Sequence, residues 1–339
     1  MADKPGTPLV DVADFPARAA ARLGELWLTT AEELASAGSQ PGGRESLASF
    51  LGLALSEVDA LLAAVEAVVP GGVAFAEEAV PVAFGALPVA NVARPEDEPV
   101  SFGQLPPEID LRDRMPPVRN QGGRGTCVAH ATGAVREFLL GDQSRGADLS
   151  EQFIYWACKQ RDGHAGPGTW IETGMAVLRD LGACPEAIWP YNPDVVPGNE
   201  SQGPAPAGVE PAAAPFRVVQ VTRLNATWVD SLREVLAGGS PVAFSVRVFE
   251  SCQRPHTHRV GDLRLPLPGE PDLGGHAMCM AGYVDDPETP GGGYFIVRNS
   301  WGDAFGQEGQ VAPGYCRLPY EYVRQHGLEA YTASMAGSP

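Results

Sequence analysis

One run of residues is equipped for chemistry: Val118-Arg119-Asn120-Gln121-Gly122-Gly123-Arg124-Gly125-Thr126-Cys127-Val128-Ala129-His130-Ala131. A glycine-rich loop there delivers Cys127 to the first turn of a helix. Orphan backbone N–H groups and the positive end of the helix dipole favour an anion at that point. A cysteine so placed has its thiolate populated. The same N–H groups stabilise an oxyanion, and Gln121, six residues upstream, adds a side-chain amide donor. A thiolate needs a base, and Gly274-Gly275-His276-Ala277-Met278 offers one at the start of an apolar strand. Asn299, in Phe295-Ile296-Val297-Arg298-Asn299-Ser300-Trp301-Gly302, is suited to hold the imidazole and fix its tautomer. Trp301 is placed to keep water from that hydrogen bond.

Three amphipathic helices are expected around the cysteine, over Thr126–Leu140, Ser150–Lys159 and Thr169–Leu181. After a Pro/Ala-rich segment, 193–215, short β-rich runs follow at Phe216–Thr222, Val242–Val248, His276–Val284 and Tyr294–Asn299. A helical half followed by a sheet half, with a cleft between them, is the expected plan. Ahead of it, residues 1–69 space Leu, Ala and Val at helical intervals over Phe15–Leu28, Thr30–Ala37, Arg44–Leu53 and Ser56–Val69. Thr29, Thr30 and Ser56 stand where N-caps belong. Four short helices would make a small bundle, similar to a helix-hairpin-helix module but lacking the basic residues that meet phosphates. Residues 70–105 lose all helical period and are broken by Pro70, Pro81, Pro88, Pro95 and Pro99. They read as an extended linker. The plain alternative is a solvated tether carrying Glu77-Glu78 and Glu96-Asp97-Glu98. The sharper one has Val80–Val89 lying along the cleft of the domain that follows.

The chain has 339 residues, 44% of them hydrophobic, enough for two domains with a sizeable core. Its net charge of −18 is steepest in residues 1–105, where 15 acidic residues face 5 basic ones. Such a chain has no electrostatic footprint for nucleic acid or an anionic membrane. No run reaches the 18 or so apolar residues that span a bilayer. The N-terminus lacks a signal-peptide pattern, so a cytoplasmic location is the expectation. Six cysteines are too few for a disulfide scaffold, and free thiols are expected.

Residues 106–335 resemble the papain-like cysteine peptidases, as a divergent, bacterial-type member. Leu105-Pro106-Pro107-Glu108-Ile109-Asp110-Leu111-Arg112 resembles that family's mature N-terminal strand, and Leu149-Ser150-Glu151-Gln152 a recurring loop-to-helix start. Gln121 and Cys127 match the oxyanion glutamine and the nucleophile. His276 follows Cys127 by 149 residues, Asn299 comes 23 later, and Asn299-Ser300-Trp301-Gly302 is the family's Asn motif. The resemblance implies an α+β, bilobal catalytic domain over 106–339, a helical lobe plus a β-barrel-like lobe, preceded by a small all-α domain. It implies a Cys127–His276–Asn299 triad with Gln121 and the Cys127 N–H as oxyanion hole, a resting thiolate–imidazolium pair, a polypeptide substrate and no cofactor or metal. The chain departs from the family at Arg124, where a disulfide-forming cysteine is common, and at Val128, His130 and Gly275. The family's long helical propeptide signature is absent from residues 1–105.

Plainer alternatives exist for each residue. Cys127 could be an inert core thiol, His276 a satisfied core histidine, Asn299 a turn residue and Gln121 a solvated loop residue. Four matches in order favour the functional reading. Cys158, Cys184, Cys252, Cys279 and Cys316 read as structural, His256 and His258 as a surface loop, and His130 as packing on its own helix. The leading function is a cysteine endopeptidase. The alternatives are a catalytically silent peptide-binding protein, with residues 1–105 docking a protein partner, and a peptidase-derived acyl transferase.

Overall fold

A computed structural model describes residues 4–69, 79–89, 104–141 and 148–335. The expected acidic pairs at 77–78 and 96–98 lie outside the described residues. The chain begins with α1 (Ala17–Gly24), α2 (Ala31–Ser39), α3 (Gly43–Leu51) and α4 (Leu55–Glu66). Their apolar stripes meet in a core built on Leu23, Leu34, Leu47, Val58 and Val65. Thr30 caps α2 as expected: its hydroxyl accepts from Glu33 N, while the Glu33 carboxylate reaches back to Thr30 N. Ser56 is not a cap. The cap is Ala54, whose N–H donates to Glu57 Oε2 at 2.8 Å, so the helix starts two residues earlier than a Ser56 cap would give.

The catalytic-domain elements follow: β1 (Glu108–Asp110), α5 (Cys127–Phe138), α6 (Glu151–Lys159), α7 (Ile171–Asp180), α8 (Val209–Ala213), β2 (Gln220–Leu224), α9 (Val229–Ala237), β3 (Val242–Phe249), α10 (Pro255–Val260), β4 (Asp272–Asp285), β5 (Gly293–Arg298), β6 (Tyr315–Pro319), α11 (Tyr320–His326) and β7 (Gly327–Ser334). One antiparallel sheet runs β2-β7-β3-β4-β5-β6, with β1 added on β4. The α+β class is therefore as expected, with α5, α6 and α7 as one lobe and the sheet as the other. β2 starts later than predicted because Ala214–Phe216 turns as a 3₁₀ helix. α7 starts at 171, with Trp170 extended before it.

α5 is buried along its whole length and packs on β4 and β3. β4 is continuously buried from Gly275 to Tyr283, the pattern of a strand covered on both faces. The bundle docks on the sheet lobe by polar contacts. Lys4 pairs with Glu33 and sits 3.8 Å over the Trp27 ring, whose other neighbours are Arg317 and Tyr294. Arg317 is itself held by Asp262 in a bidentate pair, both buried.

Candidate active site

Cys127 is the first residue of α5, and its position is fixed from the loop before it. Thr126 Oγ1 and the Tyr191 hydroxyl are 2.6 Å apart, and Tyr191 donates to Gln121 O at 2.7 Å. Gln121 is buried, and its amide is set by both ends. Ser300 Oγ donates to Oε1 at 2.6 Å, which turns Nε2 toward the cleft, where it donates to Arg124 O at 2.7 Å and Ala83 O at 3.0 Å. Arg124, standing where a disulfide was expected to be missing, is buried and works as a polar staple. Its guanidinium donates to Gln152 Oε1, Asn192 O and Glu200 O, and lies over the Tyr155 and Tyr191 rings. All six cysteines are free.

The sheet brings the other half. Cys279 of β4 faces Arg298 of β5, so Asn299, one residue on, stands diagonally across from His276 on the same face. His276 Nε2 is 2.8 Å from Asn299 Oδ1. A carboxamide oxygen only accepts, so Nε2 carries the proton and Nδ1 is the free lone pair. Nδ1 is buried without a partner. Asn299 Oδ1 is aimed by a second donor, Ser300 N, at 2.8 Å. Trp301 stacks on His276 with centroids 4.7 Å apart. The N–H of Ala277, next to His276, donates to Cys127 Sγ at 3.4 Å and ties the two lobes together at the sulfur. The four predicted residues thus converge on one place, although no sequence pattern had singled out the part played by Ser300 or Tyr191.

The cleft is occupied. Residues 79–89 cross it as an extended strap. Ala86 N donates to Gly275 O at 3.0 Å on the sheet side, and Leu87 N to Thr169 O at 2.9 Å on the helical side, where Thr169 N returns to Gly85 O. The strap runs parallel to the backbone at Thr169 and antiparallel to that at Gly275. Phe84 lies edge-on to both His276 and Trp301. Close approach dictates the glycines: a Cβ on Gly85 would sit 1.9 Å from Gly125 O, and one on Gly275 would sit 2.1 Å from Ala86 O. Gly275 thereby acquires a reason. The sharper of the two readings of the linker is the one seen, for the residues described.

Burial sets the electrostatics of the covered site. Burial pushes the Cys127 thiol up to about 11, against the backbone N–H groups of Ala277, Gly85, Val128 and Cys127 itself, which favour the thiolate. Burial likewise takes His276 down to about 4, opposed by Asn299. A neutral thiol–imidazole pair therefore fits the covered site, not the expected ion pair, because water is excluded. His130 packs as expected, with Nδ1 3.0 Å from Thr126 O and its ring edge-on to Tyr191. His256 and His258 do not lie in a surface loop: they belong to α10, wedged between the sheet lobe and the bundle. Among the described residues no group of three His, Cys, Asp or Glu is arranged to hold a metal. A concavity of about 780 Å³ lies away from this chemistry, on the bundle between α1 and α4. The cleft itself is filled by the strap.

Comparison with known proteins agrees with this geometry. The family model described as papain family cysteine protease matches residues 105–333. The chain belongs to the papain family of cysteine proteases. An uncharacterized peptidase C1-like protein of Acanthamoeba polyphaga mimivirus is 28% identical over 216 residues, 62% of this chain and 66% of that one. A cathepsin B-like protein of Giardia intestinalis, CP3, is 27% identical over 225 residues, 62% of this chain and 69% of its own. Among solved structures, xylellain, a cysteine protease from Xylella fastidiosa, is similar at 27% identity and a TM-score of 0.62, over 77% of this chain and 98% of that chain. The chain thus spans about two thirds of the length of these curated relatives, and residues 1–104 lie outside the match to the family model.

Proposed function

We propose that this papain-family chain is a cysteine endopeptidase whose own residues 79–89 inhibit it. The observation that carries the reading is Cys127 at a helix N-terminus with the N–H of Ala277 on its sulfur, His276 next in the chain and held by Asn299, and a peptide lying across them whose Ala83 carbonyl takes the Gln121 amide. In the uncovered site, water returns and the backbone N–H groups around the sulfur favour thiolate with imidazolium. The thiolate sulfur bonds to the scissile carbonyl carbon, and the oxygen takes up the charge between the Cys127 N–H and the Gln121 amide. His276 passes its Nδ1 proton to the departing amine as the C–N bond breaks. It then takes a proton from water, which cleaves the thioester and frees the acid. Asn299 keeps Nε2 engaged so that Nδ1 remains the working nitrogen.

The strap acts in two ways in this scheme. Ala83 O occupies the Gln121 donor that a substrate oxyanion would need, and burial keeps the thiol protonated. The neutral, covered pair is also the one observation that favours a silent peptide-binding protein, so the test must separate the two. Full-length protein is treated with a peptidyl epoxysuccinate at neutral pH and mapped by intact mass and peptide analysis. Wild type is expected to label slowly and only at Cys127, His276→Ala not at all, and Gly85→Leu about tenfold faster, because the added side chain collides with Gly125. Cys127 labelling that is independent of His276, or none even in folded Gly85→Leu, would leave the peptide-binding reading.

A further inference from the structure

Trp301 is stacked against a second imidazole. The His258 ring lies 5.0 Å from the indole at an interplanar angle of 13°, compared with 4.7 Å and 22° for His276. Phe305 closes the cluster edge-on to both Trp301 and His258, at 5.1 and 5.4 Å. An indole gripped in this way has little freedom to tilt, and its face decides the plane available to the His276 ring.

His258 is itself well held. The backbone of Cys252 takes one ring nitrogen, while Nε2 is buried without a partner. α10 is seated on the loop that follows Trp301, with Gly306 N donating to His258 O at 2.7 Å and Glu308 N to Arg259 O at 2.9 Å. Its other side meets the bundle, where Arg254 donates to Ser39 Oγ at 2.9 Å. The strap is pinned beside it, Val80 N donating to Gln253 O at 2.8 Å. An unbroken line of contacts therefore runs from α2 through α10 and Trp301 to His276.

We propose that His258 is a positioning residue for His276, acting through the indole of Trp301. It touches neither the sulfur nor the strap's carbonyls. Its effect is to hold flat the aromatic face on which the imidazolium of the working pair rests, a face that favours the cation through its quadrupole. The groups packed on the His276 ring are Asn299, Trp301 and Phe84, none of them charged, and the titratable group of the working pair that faces it is Cys127, which His258 does not reach. Loosening the indole therefore weakens the stacked aromatic contact that stabilises its protonated form. The inference rests on His276 being the general acid–base proposed above.

The test compares full-length His258→Leu, which fills the volume without a ring, and His258→Phe, which restores a ring without nitrogens. Peptide hydrolysis and the pH profile of Cys127 alkylation are measured on both. His258→Leu is expected to lose about tenfold in kcat with KM changed less than twofold. Its alkaline limb should move to lower pH, as the imidazolium gives up its proton more readily. His258→Phe should lie within about twofold of wild type and keep the wild-type limb. Wild-type kcat and limb in folded His258→Leu would overturn the proposal, as would equal impairment of both variants with an unmoved limb. Alkylation of His276→Ala at the wild-type rate would instead sink the catalytic reading and this inference with it.

Discussion

The helical wall of the cleft holds its functional groups with polar atoms, whereas the sheet wall holds its own with strand register and rings. On the helical side, Gln121 is set by Ser300, Arg124 O and Tyr191, and Arg124 ties the loop to α6 and to the 192–200 segment. On the sheet side, pairing of β4 with β5 brings His276 and Asn299 to one face, and Trp301 covers them. A loop has no register, so each of its carbonyls and amides must be placed by a specific partner. A strand inherits its placement from its neighbours and needs only a cover against water. The helical wall is thus the more easily broken by a single polar deletion.

The largest effect is expected at the oxyanion donor. Gln121→Ala should lower kcat about a hundredfold or more while KM stays near its wild-type value, since the lost hydrogen bond matters most once charge develops. Steady-state kinetics on a peptide substrate check this, and an equal rise in KM with kcat intact would place Gln121 in ground-state binding instead. Next comes the staple. Arg124→Met keeps apolar bulk but strands Gln152 Oε1 and the carbonyls of Asn192 and Glu200. A loss of about 2 kcal/mol in denaturant unfolding is expected. An unchanged midpoint would mean that water replaces the guanidinium at no cost.

The smallest effect is a pH trend of the helical wall. Burial pushes Glu151 up to about 8 and Glu137 up to about 7, each raised further or held by its neighbours. Unfolded, both titrate near 4.3. Between about pH 4 and 8 each of these two carboxyls therefore binds more protons in the folded chain than in the unfolded one, a contribution to stability that falls as pH rises through that window. From pH 5 to pH 8 the Tm of Glu151→Gln should rise by a few degrees relative to that of the wild type. A Tm difference between the two proteins that stays constant over this range would contradict the assignment.

The same contrast explains what the sequence made legible. Gln121, Cys127, His276 and Asn299 could be read because each sits in a local motif with its own spacing. The α6 start at Ser150 could be read from its helical spacing, and its hydroxyl accepts from Phe153 N at 3.0 Å as a cap. The part played by His258 could not, because its partners, Trp301 and Phe305, lie more than 40 residues on and join it only through tertiary packing. Residues 79–89 have no period to read, and their glycine partners at 125, 168 and 275 are scattered along the chain. Arg124 looked like a loss, of a disulfide, until its three acceptors were in view. The N-terminal bundle was legible as four helices, but not the polar seam by which Ser39 and Gln40 join the sheet lobe.

The strap belongs to the same covalent chain as the cleft it fills, and that decides how it competes. A tethered occupant never dilutes away. It meets its site at an effective concentration of order millimolar however scarce the protein is, so a free peptide must outbid a neighbour that is always present. Displacement by substrate is thus reversible and costly at every turnover. A single cut within the chain on either side of residues 79–89 would weaken the tether, and cuts on both sides would turn a local equilibrium into simple dissociation, which dilution makes one-way. The Gln121 donor and the Cys127 sulfur would then change hands once, and stay changed.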